Sequence, residues 1–218
     1  AAAKLREEVR ALAARHLEMA AETVVLDGLT SAMSAGRSVA VRDLILQLAP
    51  EGVVAEGRYA GSERTYAYGT HAAHVAIDAA TGEIEVLDYV VVEDVGRIIN
   101  PRTLHSQTLG GVEQGLGGTL REELHYDADG QLLSGSLLDY AMPVASSFPH
   151  VRVISTEDWP SPTNPLGAKG AGEGGVIPVG GVIANAVAAA LSSLGAEPNR
   201  LPLTPQRVWE LTMARERA

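Results

Sequence analysis

Apolar residues recur along this chain with two periods, and each period marks out a different kind of element. Over residues 2–20, Leu5, Val9, Leu12, His16 and Met19 stand four, three, four and three apart, with Lys4, Arg6, Glu7, Glu8 and Arg10 between them. That is one face of an amphipathic helix, and His16 on it reads as a hydrogen-bonded packing residue. Residues 23–27 and 38–41 read as short strands around a turn-rich stretch, 31–37. Residues 42–49 read as a short helix that stops before Pro50. From Val53 the period becomes two: 53–59, 66–78 and 83–94 are strand candidates, the last two joined by a turn at 79–82 (AATG). Val75, Ile77, Ile84, Val86, Tyr89, Val90, Val91 and Val92 supply their buried faces. His71 and His74, three apart in a strand, point to opposite faces and cannot clamp one metal ion together.

Helical spacing returns after Asn100-Pro101, a helix-start signal. Leu109, Val112, Leu116 and Leu120 share this helix with Gly110, Gly111, Gly115, Gly117 and Gly118. Each interior glycine costs a helix roughly 0.5–1 kcal/mol relative to alanine. Two explanations stand level: close approach to a neighbouring backbone, or close approach to a large cofactor. Gln107, near the start, offers an uncharged donor and acceptor suited to a pterin or amide edge. A turn at 127–130, strands at 132–140 and 150–155, and a loop at 142–148 follow. A further helix over 178–191 is marked by Val182, Ile183, Ala186, Val187, Ala190, Leu191 and Leu194. An extended 201–203 leads to a last helix capped by Thr204 and opened by Pro205. The expected class is α+β. Residues 1–218 read as one segment, with a helical scaffold at 1–50 and the hairpin, the glycine-rich helix and a glycine–glutamate loop at 51–218; no repeat or linker divides them.

Composition narrows the partners. With 17 basic and 27 acidic residues and a net charge of −10, the chain is a poor ligand for nucleic acid or an anionic membrane. No apolar run approaches the roughly 18 residues of a membrane span, and the charged N-terminus is unlike a secretory signal, so the expected location is the cytoplasm. There is no cysteine, hence no disulfide, no iron–sulfur ligand set and no cysteine nucleophile here.

The chemistry concentrates at residues 164–175 (NPLGAKGAGEGG), where five of the nine positions from Gly167 to Gly175 are glycine and one lysine, Lys169, and one carboxylate, Glu173, stand among them. Glycine-rich backbone can pass close to a ligand, and a loop feeding a helix aims free N–H groups into itself. Neither phosphate-binding fingerprint is present. By itself the segment also reads as a tight surface loop with a solvated glutamate.

Six ordered runs together resemble one family. They are YGTH at 68–71, DVGRIINP at 94–101, QTLGGVEQGLG at 107–117, EEL at 122–124, LDYAMP at 138–143, and PLGAKGAGEGG at 165–175 followed by IANAV at 183–187. The chain resembles the C-terminal part of the molybdenum-binding large subunit of the xanthine dehydrogenase/aldehyde oxidase (molybdenum hydroxylase) family. The resemblance implies that Glu173 is the base at the molybdenum centre, taking a proton as water-derived oxygen enters a C–H bond of an electron-poor carbon. It implies that Gln107 contacts the pterin and, more weakly, that the backbone of Lys169, Gly170, Ala171 and Gly172 does too, with no protein side chain bound directly to the metal. The cofactor implied is molybdopterin cytosine dinucleotide. The resemblance also implies partners: the rest of the molybdenum subunit, a [2Fe–2S] subunit and an FAD subunit.

Family large subunits run to several hundred residues, so the chain is expected to be a split subunit or a fragment, incomplete as an enzyme. The expected substrate is an N-heterocycle or purine first, an aldehyde second and carbon monoxide a distant third. A non-catalytic structural subunit and a free-standing small-ligand module are the competing readings.

Overall fold

The structure is a computed structural model that describes residues 1–61 and 63–213. It divides into two compact units, residues 1–62 and 63–218.

The first unit holds helix α1 (Ala2–Leu17), a small antiparallel sheet of β1 (Val25–Asp27), β2 (Ser31–Ser34) and β3 (Arg37–Ala40), and helix α2 (Val41–Leu48). Val9, Leu12, Ala13, Leu17 and Leu44 bury the helical faces. α1 ends earlier than its apolar spacing predicts, because Glu18 turns into the left-handed region (φ 53°) and its N–H returns to the helix. His16 is half-buried. The expected turn at 31–37 is corrected: its first four residues form the middle strand. Small inward residues, Ala32 and Ser34, carry the alternation there, and pairing on both sides outweighs their weak strand propensity. The tight turn is only Ala35-Gly36, both at positive φ, as a two-residue hairpin requires. The expected strand at 53–59 is absent. No neighbouring strand pairs with it, and Val54 lies 86% exposed.

The second unit is built on β4 (Tyr68–Ile77), β5 (Ile84–Asp94) and β6 (Val151–Thr156) in that order across one sheet. β4 and β5 form the predicted hairpin, with an irregularity between His74 and Val75; β6 joins β5 in parallel. α3 (Pro101–Leu120) and α4 (Val179–Ala190) pack with this sheet. Tyr89, Val91, Val112, Val179, Ile183 and Val187 are sealed in the common core with Leu203 and with Val208 of α5 (Pro205–Met213). Asn100 caps α3 as the sequence predicts, its side chain accepting from the Thr103 N–H at 3.1 Å.

The strand expected at 132–140 is also corrected. Leu132 makes a single bridge to Tyr126, after which the Ser136 carbonyl accepts from the N–H groups of Asp139 and Tyr140 and closes a turn. Leu138 is left 93% exposed. The last five residues of the chain, 214–218, lie outside the described residues.

Candidate functional site

The glycine-rich helix and the glycine-rich loop meet back to back. A Cβ added at Gly111 would stand 3.0 Å from the Gly175 Cα, and one at Gly175 would strike the Thr108 carbonyl. Gly115 makes room for Val179 of α4 in the same way, 2.5 Å from where a Cβ would stand. Close packing therefore explains both glycines, against the loop backbone at Gly111 and against the Val179 side chain at Gly115. Gly110 and Gly118 face open space.

The other edge of the loop is tied to the end of β5. Arg97 N–H donates to the Gly167 carbonyl and Lys169 N–H to the Val95 carbonyl, both at 2.9 Å. Beneath them Asp94, 3% exposed, accepts from Lys169 Nζ at 2.8 Å and from the Gly96 N–H at 2.9 Å on one oxygen. Its other oxygen accepts from Thr156 Oγ1 and the Trp159 N–H. Burial would push the Asp94 carboxyl up; the Lys169 ammonium and these N–H donors outweigh burial and hold it at about 2. Lys169 is itself only 7% exposed, and its ammonium also lies 4.5 Å from the centre of the Tyr68 ring. The Lys169 side chain is thus committed to Asp94, which leaves only backbone at this position to meet a ligand.

Between these two attachments the loop separates two hollows. The larger, about 610 Å³, is lined by Tyr66, Tyr68, His71, Glu93, Glu173 and Ile177 among others. The smaller, about 370 Å³, is lined by Arg97, Asn100, Thr103, Gln107 and Lys169. Ala171 and Gly172 line both. Gln107 Nε2 donates to the Gly172 carbonyl at 2.9 Å, fastening the loop to α3. Glu173 is exposed, and its carbonyl accepts from the N–H groups of Val176 and Ile177 at 3.1 and 3.2 Å. The structure therefore brings Gln107, Lys169, Gly170, Ala171, Gly172 and Glu173 together, but on two faces of one thin wall. A larger cavity, about 1,090 Å³, lies at the opposite end of the sheet and contains none of them.

Two residues in the larger hollow were given no site role by the sequence reading. Glu93, 5% exposed, accepts from Thr108 Oγ1 at 2.8 Å and Ser155 Oγ at 2.9 Å on Oε1, while Oε2 has no hydrogen-bond partner. His71 Nδ1 lies 2.9 Å from the Tyr89 hydroxyl. Burial pushes the His71 pKa down, partly opposed by the Glu93 carboxylate and by a hydrogen bond with the Gly174 backbone. Tyr89 and Val91 are both sealed, so the period of two along β5 marks Glu93 as the next inward position. Among the described residues no three His, Asp or Glu side chains gather as a metal site.

A family model described as the molybdopterin cofactor-binding domain matches residues 1–149. The chain is 36% identical over 196 residues to 6-hydroxypseudooxynicotine dehydrogenase complex subunit gamma of Paenarthrobacter nicotinovorans, covering 88% of this chain and 25% of that one. It is 35% identical over 224 residues to the nicotine 6-hydroxylase large subunit of the same organism, covering 97% and 27%. Among solved structures it matches quinoline 2-oxidoreductase from Pseudomonas putida 86 with a TM-score of 0.83 and 33% identity, covering 97% of this chain and 28% of that one. A Cu,Mo-CO dehydrogenase gives a TM-score of 0.85 at 27% identity, covering 98% and 28%. The chain thus spans about a quarter of the length of these relatives.

Proposed function

The chain belongs to the molybdopterin cofactor-binding domain family, and from that premise we propose that it supplies the base and one wall of the cofactor pocket in a molybdenum hydroxylase. One observation carries the reading. The Gln107–Gly172 hydrogen bond fastens the loop at the residue next to Glu173, between a hollow that Gln107 lines and a hollow that Glu173 lines.

The residues suit a large, flat, hydrogen-bonding group. With one Nε2 hydrogen given to Gly172, Gln107 keeps its second N–H as a donor and Oε1 as an acceptor for a hydrogen-bonding edge. A Cβ at Gly170 or Gly172 would meet nothing within 4 Å, so a ligand can approach the loop backbone there. When bound, the molybdenum cofactor supplies the metal centre that accepts the substrate's electrons. Glu173 acts as the positioned proton acceptor, held by a loop that is anchored on both sides. We take the cofactor to be molybdopterin cytosine dinucleotide, held by Gln107 and the backbone of 169–172.

The proposed substrate class is an N-heterocycle, a reading supported by relatives named for nicotine and quinoline. Electrons would leave through [2Fe–2S] and FAD partner chains, and the remainder of the molybdenum subunit would complete the pocket. Metal analysis of the native complex, purified through a tag on this chain, tests the reading: about one molybdenum per chain is expected. Glu173→Gln should keep that metal and lower turnover by about 10²–10⁴-fold. Retained turnover would overturn the assignment of the base, and a complete complex without molybdenum would make the chain a structural subunit.

A further inference from the structure

We propose that the free edge of β4 and the outer face of α4 form a seam against which the remaining part of the molybdenum subunit docks, adding an extended strand to the sheet. The proposal rests on the functional reading only for the identity of that occupant.

β4 is the outermost strand of its sheet, and at ten residues it is about twice the usual strand length. A bare edge of that length offers a row of unpaired N–H and C=O groups to any other strand. Proteins blunt such edges with charge, proline or brevity. The opposite edge obeys this rule: β6 has six residues, has Pro149 just ahead of it, and carries Arg152, ion-paired with Asp88. β4 has one irregularity, between His74 and Val75, but no proline and no Asp, Glu, Lys or Arg.

α4 points the same way by a separate observation. It packs on β4, and its twelve residues hold no charged side chain and one polar one, Asn185. Yet Gly181, Asn185, Ala189 and Ala190 are exposed. A helix without a charged face belongs in an interior, and 20% of the residues of this chain are charged. The core beneath is incompletely covered. Val75 is buried, whereas Ala73 and Ile77, at the same parity on β4, are only half-buried against the cluster that holds Val179, Ile183 and Val187.

The same features select the occupant. Loss of charge from both strand and helix marks a permanent interface, which resembles a core cut in two. That fits the rest of the same subunit better than an exchangeable partner. In the relatives the matching stretch is 25% and 27% of the chain, so most of such a subunit lies outside it. The docking segment is an extended strand of alternating apolar and polar residues. Its backbone pairs with β4, and its apolar side completes the core under α4.

Backbone direction identifies the amides that report on this. The Asp78 N–H donates to the Glu83 carbonyl at 3.0 Å, toward β5. Alternation then turns Ala76 to β5 as well, and Val75 and Ile77 to the free edge. The test is residue-resolved hydrogen exchange on the purified wild-type complex. With a strand added, Val75 and Ile77 should exchange as slowly as Ala76 and Asp78, roughly a hundredfold or more below the unstructured rate. Fast exchange at Val75 and Ile77 beside slow exchange at Ala76 would overturn the proposal. A photoreactive phenylalanine in place of Asn185 should crosslink, by peptide mapping, to the remaining part of the molybdenum subunit. A crosslink to a second copy of this chain, or to an iron–sulfur or flavin chain, would overturn the named occupant. Slow exchange and the expected crosslink in a complex without molybdenum would leave the seam standing and sink the cofactor reading.

Discussion

Replacing Lys169 by methionine separates two roles that the sequence leaves merged. The family resemblance offers the backbone of Lys169 among the cofactor contacts, and its ammonium sits 2.8 Å from a carboxylate that is 3% exposed. Methionine keeps a comparable unbranched stem and removes the ammonium, both from Asp94 and from the face of the Tyr68 ring. Asp94 then remains buried with three neutral donors and no counter-ion. Removing one partner of a buried pair costs about 3–5 kcal/mol. At roughly 2–4 °C per kcal/mol for a unit of this size, the melting temperature of the purified complex should fall by roughly 6–20 °C. The sign of the pH dependence follows from the depressed Asp94 pKa of about 2. In the wild type the stabilisation is complete above the ordinary carboxylate pKa and is lost as pH falls toward 2. Without the ammonium, burial dominates and Asp94 takes up a proton at higher pH, so the deficit of the variant should be smaller at pH 4 than at pH 8. The assay is thermal unfolding at both pH values, with molybdenum content measured on the same samples. An unchanged melting temperature with lost molybdenum would refute the reasoning and return Lys169 to the cofactor.

Three smaller perturbations bear on the same loop. Gln107→Leu removes the tie to Gly172 and should cost only about 0.5–1.5 kcal/mol of stability while lowering the molybdenum content, which elemental analysis reads directly. Gly111→Ala forces a methyl group against Gly175 and should destabilise by about 1–3 kcal/mol, read as a shift in denaturation midpoint. Gly118→Ala, on the same helix but facing open space, should be neutral or should stabilise by roughly 0.5–1 kcal/mol; a loss comparable to that at Gly111 would mean the helix is not packed as described.

What the sequence discloses here follows the range of the interactions involved. Helices α1, α3 and α4 and the β4–β5 hairpin are legible because period and capping are local: Asn100 caps α3 and Gly96–Arg97 turn the chain within a few residues of one another. The strand at Ser31–Ser34 and the turns that replace a strand at 132–140 are not legible, since each depends on whether a neighbouring strand is present to pair. The site divides in the same way. The family-like runs bring Gln107 and Glu173 into view, but the bond that joins their segments spans 65 positions. The Lys169–Asp94 pair spans 75. Glu93 could have been found from the sequence, because within the predicted strand 83–94 it continues the parity of Tyr89 and Val91 into the core.

The back-to-back contact of Gly111 and Gly175 also bears on where the loop can accept new side chains. One end of the loop is closed to any larger residue by protein atoms, whereas Gly170 and Gly172 have free volume where a Cβ would stand. A Cβ introduced at either of those two positions would meet no protein atom within 4 Å. The tip can therefore accept substitution while the root stays fixed, and a library confined to residues 170 and 172 would vary the wall proposed for the cofactor at the least risk to folding.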